Sequence, residues 1–307
     1  MKILQHIFAL FLVLWGGVAN QSIQAQSVWP LGFFGGLSTH TGARLGNVET
    51  IDVSMASIKA QGVGFLRIEL QGTEALSRLD TLLMLTDKHG LDVFVAVPDT
   101  MLVTLPATAL PELVTSGRHH VMAYTVVFTN EVHSDTLFAA FNSLVAATPG
   151  ALHGFCLRSA QDMLFRQMMR LPAVDFMGLN FGYMEQGWAS KDRVREAIGQ
   201  VFSRMPSLVI QAANAMELLD KPLLIDYMDY PRDNAFHSPE SPVVMRDNIL
   251  NFVRGQQQAY AEVLHGVFLG SWVGDAESVP LQPTETVYAT DTTTISILTR
   301  KSDSDVQ

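Results

Sequence analysis

ALSRLDTLLMLTDKHGLDVFVAVP, Ala75–Pro98, holds a helix pattern and a buried-strand pattern with a single glycine between them. Leu76, Leu79, Leu82 and Leu83 recur at intervals of three and four residues, the spacing that gathers apolar groups on one helix face. Gly90 stands where a helix C-cap belongs, because glycine adopts the left-handed conformation there at little cost. Val93–Val97 is then apolar without interruption, as a parallel strand covered on both faces should be.

Outward from this unit the alternation repeats. Strand patterns fall at 31–37, 64–70, 91–98, 121–131, 152–158, 174–181, 222–228 and 266–272, with amphipathic stretches such as ETIDVSMASIKAQG and SDTLFAAFNSLVAAT between them. Gly62 occupies a second C-cap position, and Ser134-Asp135 an N-cap position. Eight βα units in this length predict an α/β fold, a (β/α)8 TIM barrel, ahead of a doubly wound sheet. No G-x-G-x-x-G follows the first strand, so no dinucleotide cofactor is indicated, and the glycines of GFFGG read as tight packing or a turn.

The first 25 of the 307 residues, MKILQHIFALFLVLWGGVANQSIQA, have the pattern of a secretory signal peptide: one Lys, an apolar run from Ile7 to Val18, then small and polar residues ending at Ala25. An uncleaved anchor is the alternative, but the apolar run is short for a membrane span. Residues 26–307 are expected to form one barrel domain, secreted or periplasmic, with no membrane association after cleavage. That mature chain carries 19 basic against 30 acidic residues, a balance that argues against nucleic acid as a partner. Cys156 is the sole cysteine, so an intrachain disulfide is impossible and a buried structural thiol is expected. His119 and His120, ahead of the fourth strand, are expected to be solvated loop residues, since no His/Asp/Glu spacing marks a metal site.

In a TIM barrel the chemistry sits at the C-terminal ends of the strands. Those ends carry Arg67 and Glu69, Asn130 and Glu131, Asn180 and Tyr183, then Asp226, Tyr227 and Asp229, and finally Trp272. Any one of them could be rim solvation; as a set they suit glycoside hydrolysis. Retaining cleavage needs a proton donor and a carboxylate nucleophile about 5 Å apart, with an aromatic ring supporting the sugar. Glu131, closing VMAYTVVFTNE, is the natural acid/base, and Asn130 beside it could hold the sugar 2-hydroxyl.

These residues resemble family-five glycoside hydrolases, and the C-terminal third is similar to the bacterial endo-β-1,4-mannanases. KPLLIDYMDYPRDNAFHSPESPVVMRDNILNFV, GVFLGSWVGDAES, PLQPTETVYATDTTTISIL and VDFMGLNFGYMEQGW carry the resemblance, which is loose before Gly150 apart from GFLRIEL and FTNE. It implies a β-mannan or related β-glycan ligand, no cofactor, Glu131 as acid/base, and sugar contacts from Arg67, Asn130, Asn180, Trp188 and Trp272. Arg67 matches the family arginine that braces the nucleophile.

The departures from the family pattern are equally specific. Val132 stands where a proline usually follows the acid/base, Asn180 where a histidine is usual, and Tyr227 where the family has its nucleophilic glutamate. Asp226 matches the glutamate just before it and, by strand alternation, is expected to face the helices. Asp229 has the right parity but lies beyond the strand end. A lone phenol with pKa near 10 is a poor nucleophile at neutral pH. Glu69, on the same side as Arg67 by parity, is either the carboxylate that now neutralises it or an exposed rim acid. The alternatives are therefore a hydrolase with weak or altered activity, using Glu131 with Tyr227 or Asp226, and a catalytically silent glycan-binding barrel.

Overall fold

The computed structural model describes residues 33–43, 46–128, 134–157, 173–181, 209–216, 220–229, 242–270 and 272, all within the unit Gly32–Gln307. Eight parallel strands close in sequence order into a barrel: β1 (Phe34–His40), β2 (Phe65–Glu69), β3 (Asp92–Pro98), β4 (Ala123–Phe128), β5 (Leu152–Leu157), β6 (Phe176–Phe181), β7 (Leu223–Asp229) and β8 (Leu264–Gly270). The predicted TIM barrel is present, and each strand overlaps its sequence pattern. Helices α1 (Val48–Ala60), α2 (Ala75–His89), α3 (Asp99–Thr104), α4 (Ala109–Gly117), α5 (Ser134–Ala147) and α6 (Pro242–Ala259) lie between strands in the chain. No helix among the described residues is long and apolar enough to cross a membrane.

Local chemistry starts and stops the helices as expected. The Asn47 side chain accepts a hydrogen bond from the Thr50 amide at 2.8 Å, satisfying an orphan donor of the first turn of α1. Gly90 closes α2 at φ 63°, and Gly62 takes φ 88° just past the end of α1.

Strand alternation sorts side chains into two cores. Leu66 and Ile68 of β2, Val93, Val95 and Val97 of β3, and Leu82 and Leu83 of α2 belong to the cluster between sheet and helices. The opposite strand faces fill the barrel. Phe34, Phe65, Phe94, Phe176 and Phe268 pack there with ring centroids 4.5 to 6.5 Å apart, each burial worth about 1.5–3 kcal/mol. Large rings need small neighbours: a Cβ at Gly36 would sit 2.6 Å from the Phe268 ring, so the glycine of GFFGG is there for packing. Cys156 is fully buried inside the barrel against Ala96 and Val127.

The entrance to β4 departs from expectation. The His119 side chain is only 6 % exposed, with Nδ1 2.7 Å from Asp87 Oδ2 and Nε2 3.0 Å from Asp80 Oδ1, both acids on α2. His120 alone is the solvated residue. Gly117 makes the arrangement possible, since a Cβ there would meet His119 Nε2 at 2.1 Å. A ring that donates from both nitrogens is an imidazolium. Burial works against that charge, but hydrogen bonds to Asp87 and Asp80 outweigh it and raise the pKa above 6.5. The folded state therefore binds the proton more tightly than the unfolded chain. The resulting stabilisation is fully present below about pH 6.5 and is lost as pH rises through the raised folded value. Thermal unfolding of wild type and His119→Gln should accordingly differ most below pH 6.5 and converge toward pH 9. A difference independent of pH would exclude the charged clamp.

Candidate active site

Arg67 is the centre of the polar layer above the phenylalanines. It points inward from β2, is fully buried, and has each nitrogen occupied: Nε donates to Asp226 Oδ2 at 2.8 Å, Nη2 to Glu69 Oε2 at 3.0 Å and Nη1 to Ser38 Oγ at 3.2 Å. Glu69 is thus a carboxylate that neutralises Arg67, and Gln71 Nε2 donates to its second oxygen at 3.1 Å. Burial favours a neutral guanidine, but the charges of Asp226 and Glu69 dominate and hold the pKa above its usual value. Burial likewise pushes the Cys156 thiol well up, with the Asp226 charge adding to the effect, so this thiol stays protonated.

Asp226 does not face the helices. Ile225 pairs with Val267 of β8 and Met228 with Leu269, so Asp226 and Tyr227 together oppose one β8 residue, Phe268. The same extra residue appears against β6, where Leu179 pairs with Ile225 and Asn180 with Tyr227. A bulge of this kind breaks the two-residue alternation. Ile225 and Met228 both join the outer core, and the two residues between them both turn to the barrel interior. Asp226 has no exposed surface, and its Oδ1 has no hydrogen-bond partner. Gly178 leaves room for it, since a Cβ there would lie 2.6 Å from Asp226 Cβ.

Tyr227 is half-buried at the C-terminal end of the barrel, as expected of an inward-facing residue. Its ring centroid is 5.5 Å from Arg67 Cζ, within cation–π range. It also lies against β8 at Gly270, where a Cβ would come within 2.1 Å of the ring.

Asn180, next to last in β6 and paired with Tyr227, is 9 % exposed. Trp272 is a correction: it is fully buried in the outer core, its amide donates to the Ser38 carbonyl and its carbonyl accepts from Thr39 Oγ1. A ring with no exposed face offers a sugar no platform. Asn130, Glu131, Tyr183 and Trp188 lie outside the described residues; β4 ends at Phe128, three positions before Glu131. Asp229 closes β7 opposite Gly270.

The cluster thus holds one cation, two buried carboxylates engaged with it and a phenol ring at the mouth. Neither Asp226 nor Glu69 is free as it stands to attack an anomeric carbon. Ser38, Gln71 and Gly270 were not singled out from sequence; the first two are common polar residues, and the third is visible only through the ring it accommodates.

No protein-family model and no curated protein matches this chain. Among solved structures it is similar to a glycoside hydrolase family 5 mannosidase from Rhizomucor miehei in complex with mannosyl-fructose. The TM-score is 0.60 at 11 % identity, over 82 % of this chain and 88 % of that one. A family 10 xylanase from Thermobacillus composti also matches, with TM-score 0.49 and 15 % identity, over 80 % of this chain and 89 % of that one. At 11 % identity the likeness to the mannosidase is one of fold, that of a glycoside hydrolase barrel.

Proposed function

We propose that this chain is a divergent glycoside hydrolase of the retaining, mannanase-like type that takes β-1,4-mannan or a related β-glycan at the C-terminal mouth of its barrel. Glu131 is the proton donor, and Asn130, Asn180 and Trp188 contact the sugar. The observation that carries this reading is Arg67, held on β2 by Asp226 of β7 and by Glu69 directly beneath Tyr227. A buried arginine fixed by two carboxylates is expensive to build for stability alone, whereas it gives an active-site floor a defined charge and geometry. Exported protein should begin near Gln26 on N-terminal sequencing, and an intact Met1 in the membrane fraction would exclude cleavage.

The burial of Asp226 and the phenol at position 227 favour a second reading, a barrel that binds glycan without cleaving it. Reducing-end release from β-mannan by the purified chain, set against its retention on a mannan column, separates the two. Release and retention together support a hydrolase, retention alone supports a binding barrel, and neither leaves β-mannan excluded.

A further inference from the structure

We infer that Tyr227, seated on Gly270, is the aromatic platform of this barrel and receives a sugar ring by stacking rather than by covalent attack. The inference rests on the glycan-binding reading and assigns a residue of its site. Three observations converge on it.

The first is the bulge. A regular β7 would point one of Asp226 and Tyr227 at the helices, but the extra residue sends both inward. Asp226 takes the guanidinium edge through Nε, and Tyr227 approaches the same group with its ring. Asp226 is thereby withdrawn into the floor with no exposed surface, and of the two residues only Tyr227 keeps some exposure. The second is the seat. Any side chain at position 270 would drive a Cβ to 2.1 Å from the ring, so glycine is required for the ring to hold this pose. The third is Trp272, the aromatic residue that the sequence pattern nominated as platform. It is fully buried and committed to the outer core. Tyr227 is a half-buried aromatic ring that the described strands present at the mouth, amphipathic and stiff, as carbohydrate contact requires.

The test uses the full chain and mannohexaose, with affinity measured by isothermal titration calorimetry and folding checked by thermal unfolding. Tyr227→Phe keeps the ring and should bind within about threefold of wild type, whereas Tyr227→Ala should lose roughly tenfold or more, the scale of one good aromatic contact. Gly270→Ala displaces the ring without touching Arg67, and should lose affinity comparably with little change in melting temperature. In Tyr227→Ala the same glycine substitution should cost nothing further, because there is no ring left to displace. That non-additivity is the signature a merely structural role would not give. If wild type binds mannohexaose but Tyr227→Ala and Gly270→Ala bind equally well, the platform is overturned and the glycan reading stands. If wild type binds no β-glycan, both fall.

Discussion

Arg67→Met should destabilise the barrel by about 3–5 kcal/mol at neutral pH, the usual cost of removing one partner from a buried ion pair. Methionine nearly matches the arginine stem in bulk, so the loss is electrostatic rather than a cavity. Asp226 would lose its ion pair with Arg67 while wholly buried, with its second oxygen already unsatisfied. Glu69 would keep Gln71 but lose its cation. The pH dependence has a definite sign. Buried carboxylates without a cation have folded pKa values above their unfolded ones, so the folded variant takes up protons more readily. The deficit against wild type should therefore be largest near pH 7 and shrink toward pH 5, as read from urea unfolding at the two pH values. A loss under about 1 kcal/mol at pH 7 would mean that the cluster is hydrated and structurally idle.

The barrel was legible because its strands are continuously apolar and its helices are amphipathic, and these two signals survive without knowledge of any contact. Val93–Val97 and the leucines of α2 declare which surfaces must be covered, and closure in sequence order follows from parallel strands joined by helices. The site was legible in part. Arg67 facing inward and Glu69 sharing its face follow from period-two alternation, and both are found there. Asp226 was misplaced because the same rule was carried across a bulge. The trace of that bulge lies in the sequence after all: the outward residues Leu223, Ile225 and Met228 are spaced by two and then by three. Trp272 was misplaced for a different reason. A strand-end tryptophan satisfies a sugar platform and an outer core equally well, and burial decides between them.

That misplacement bears on catalysis. With Asp226 facing the helices, β7 would bring no carboxylate to Arg67. In fact Asp226 turns inward, braced by Arg67 and with no exposed surface. Double displacement would need that carboxylate to reach the substrate, about 5 Å from the proton donor. On the proposed function, a carboxylate buried in this way predicts feeble turnover.

Glu131→Gln should accordingly be the substitution with the largest effect on whatever hydrolysis the wild type shows. In the sequence Glu131 follows Phe128, the end of β4, by three residues, and TIM-barrel chemistry is built at the C-terminal ends of strands. A positioned general acid typically supplies about 10²- to 10⁴-fold, because it delivers a proton to the leaving oxygen as the glycosidic bond breaks. Glutamine keeps the size and hydrogen-bonding shape but has no proton to give, so release of reducing ends from β-mannan should fall by that factor while mannohexaose affinity stays within about threefold of wild type. Substrates with an activated leaving group, such as a nitrophenyl mannoside, need little protonation and should lose much less. Equal losses on both substrates would point to a binding role for Glu131 instead. Unchanged mannan turnover would move the acid to another strand end and leave Asn130-Glu131 as rim residues.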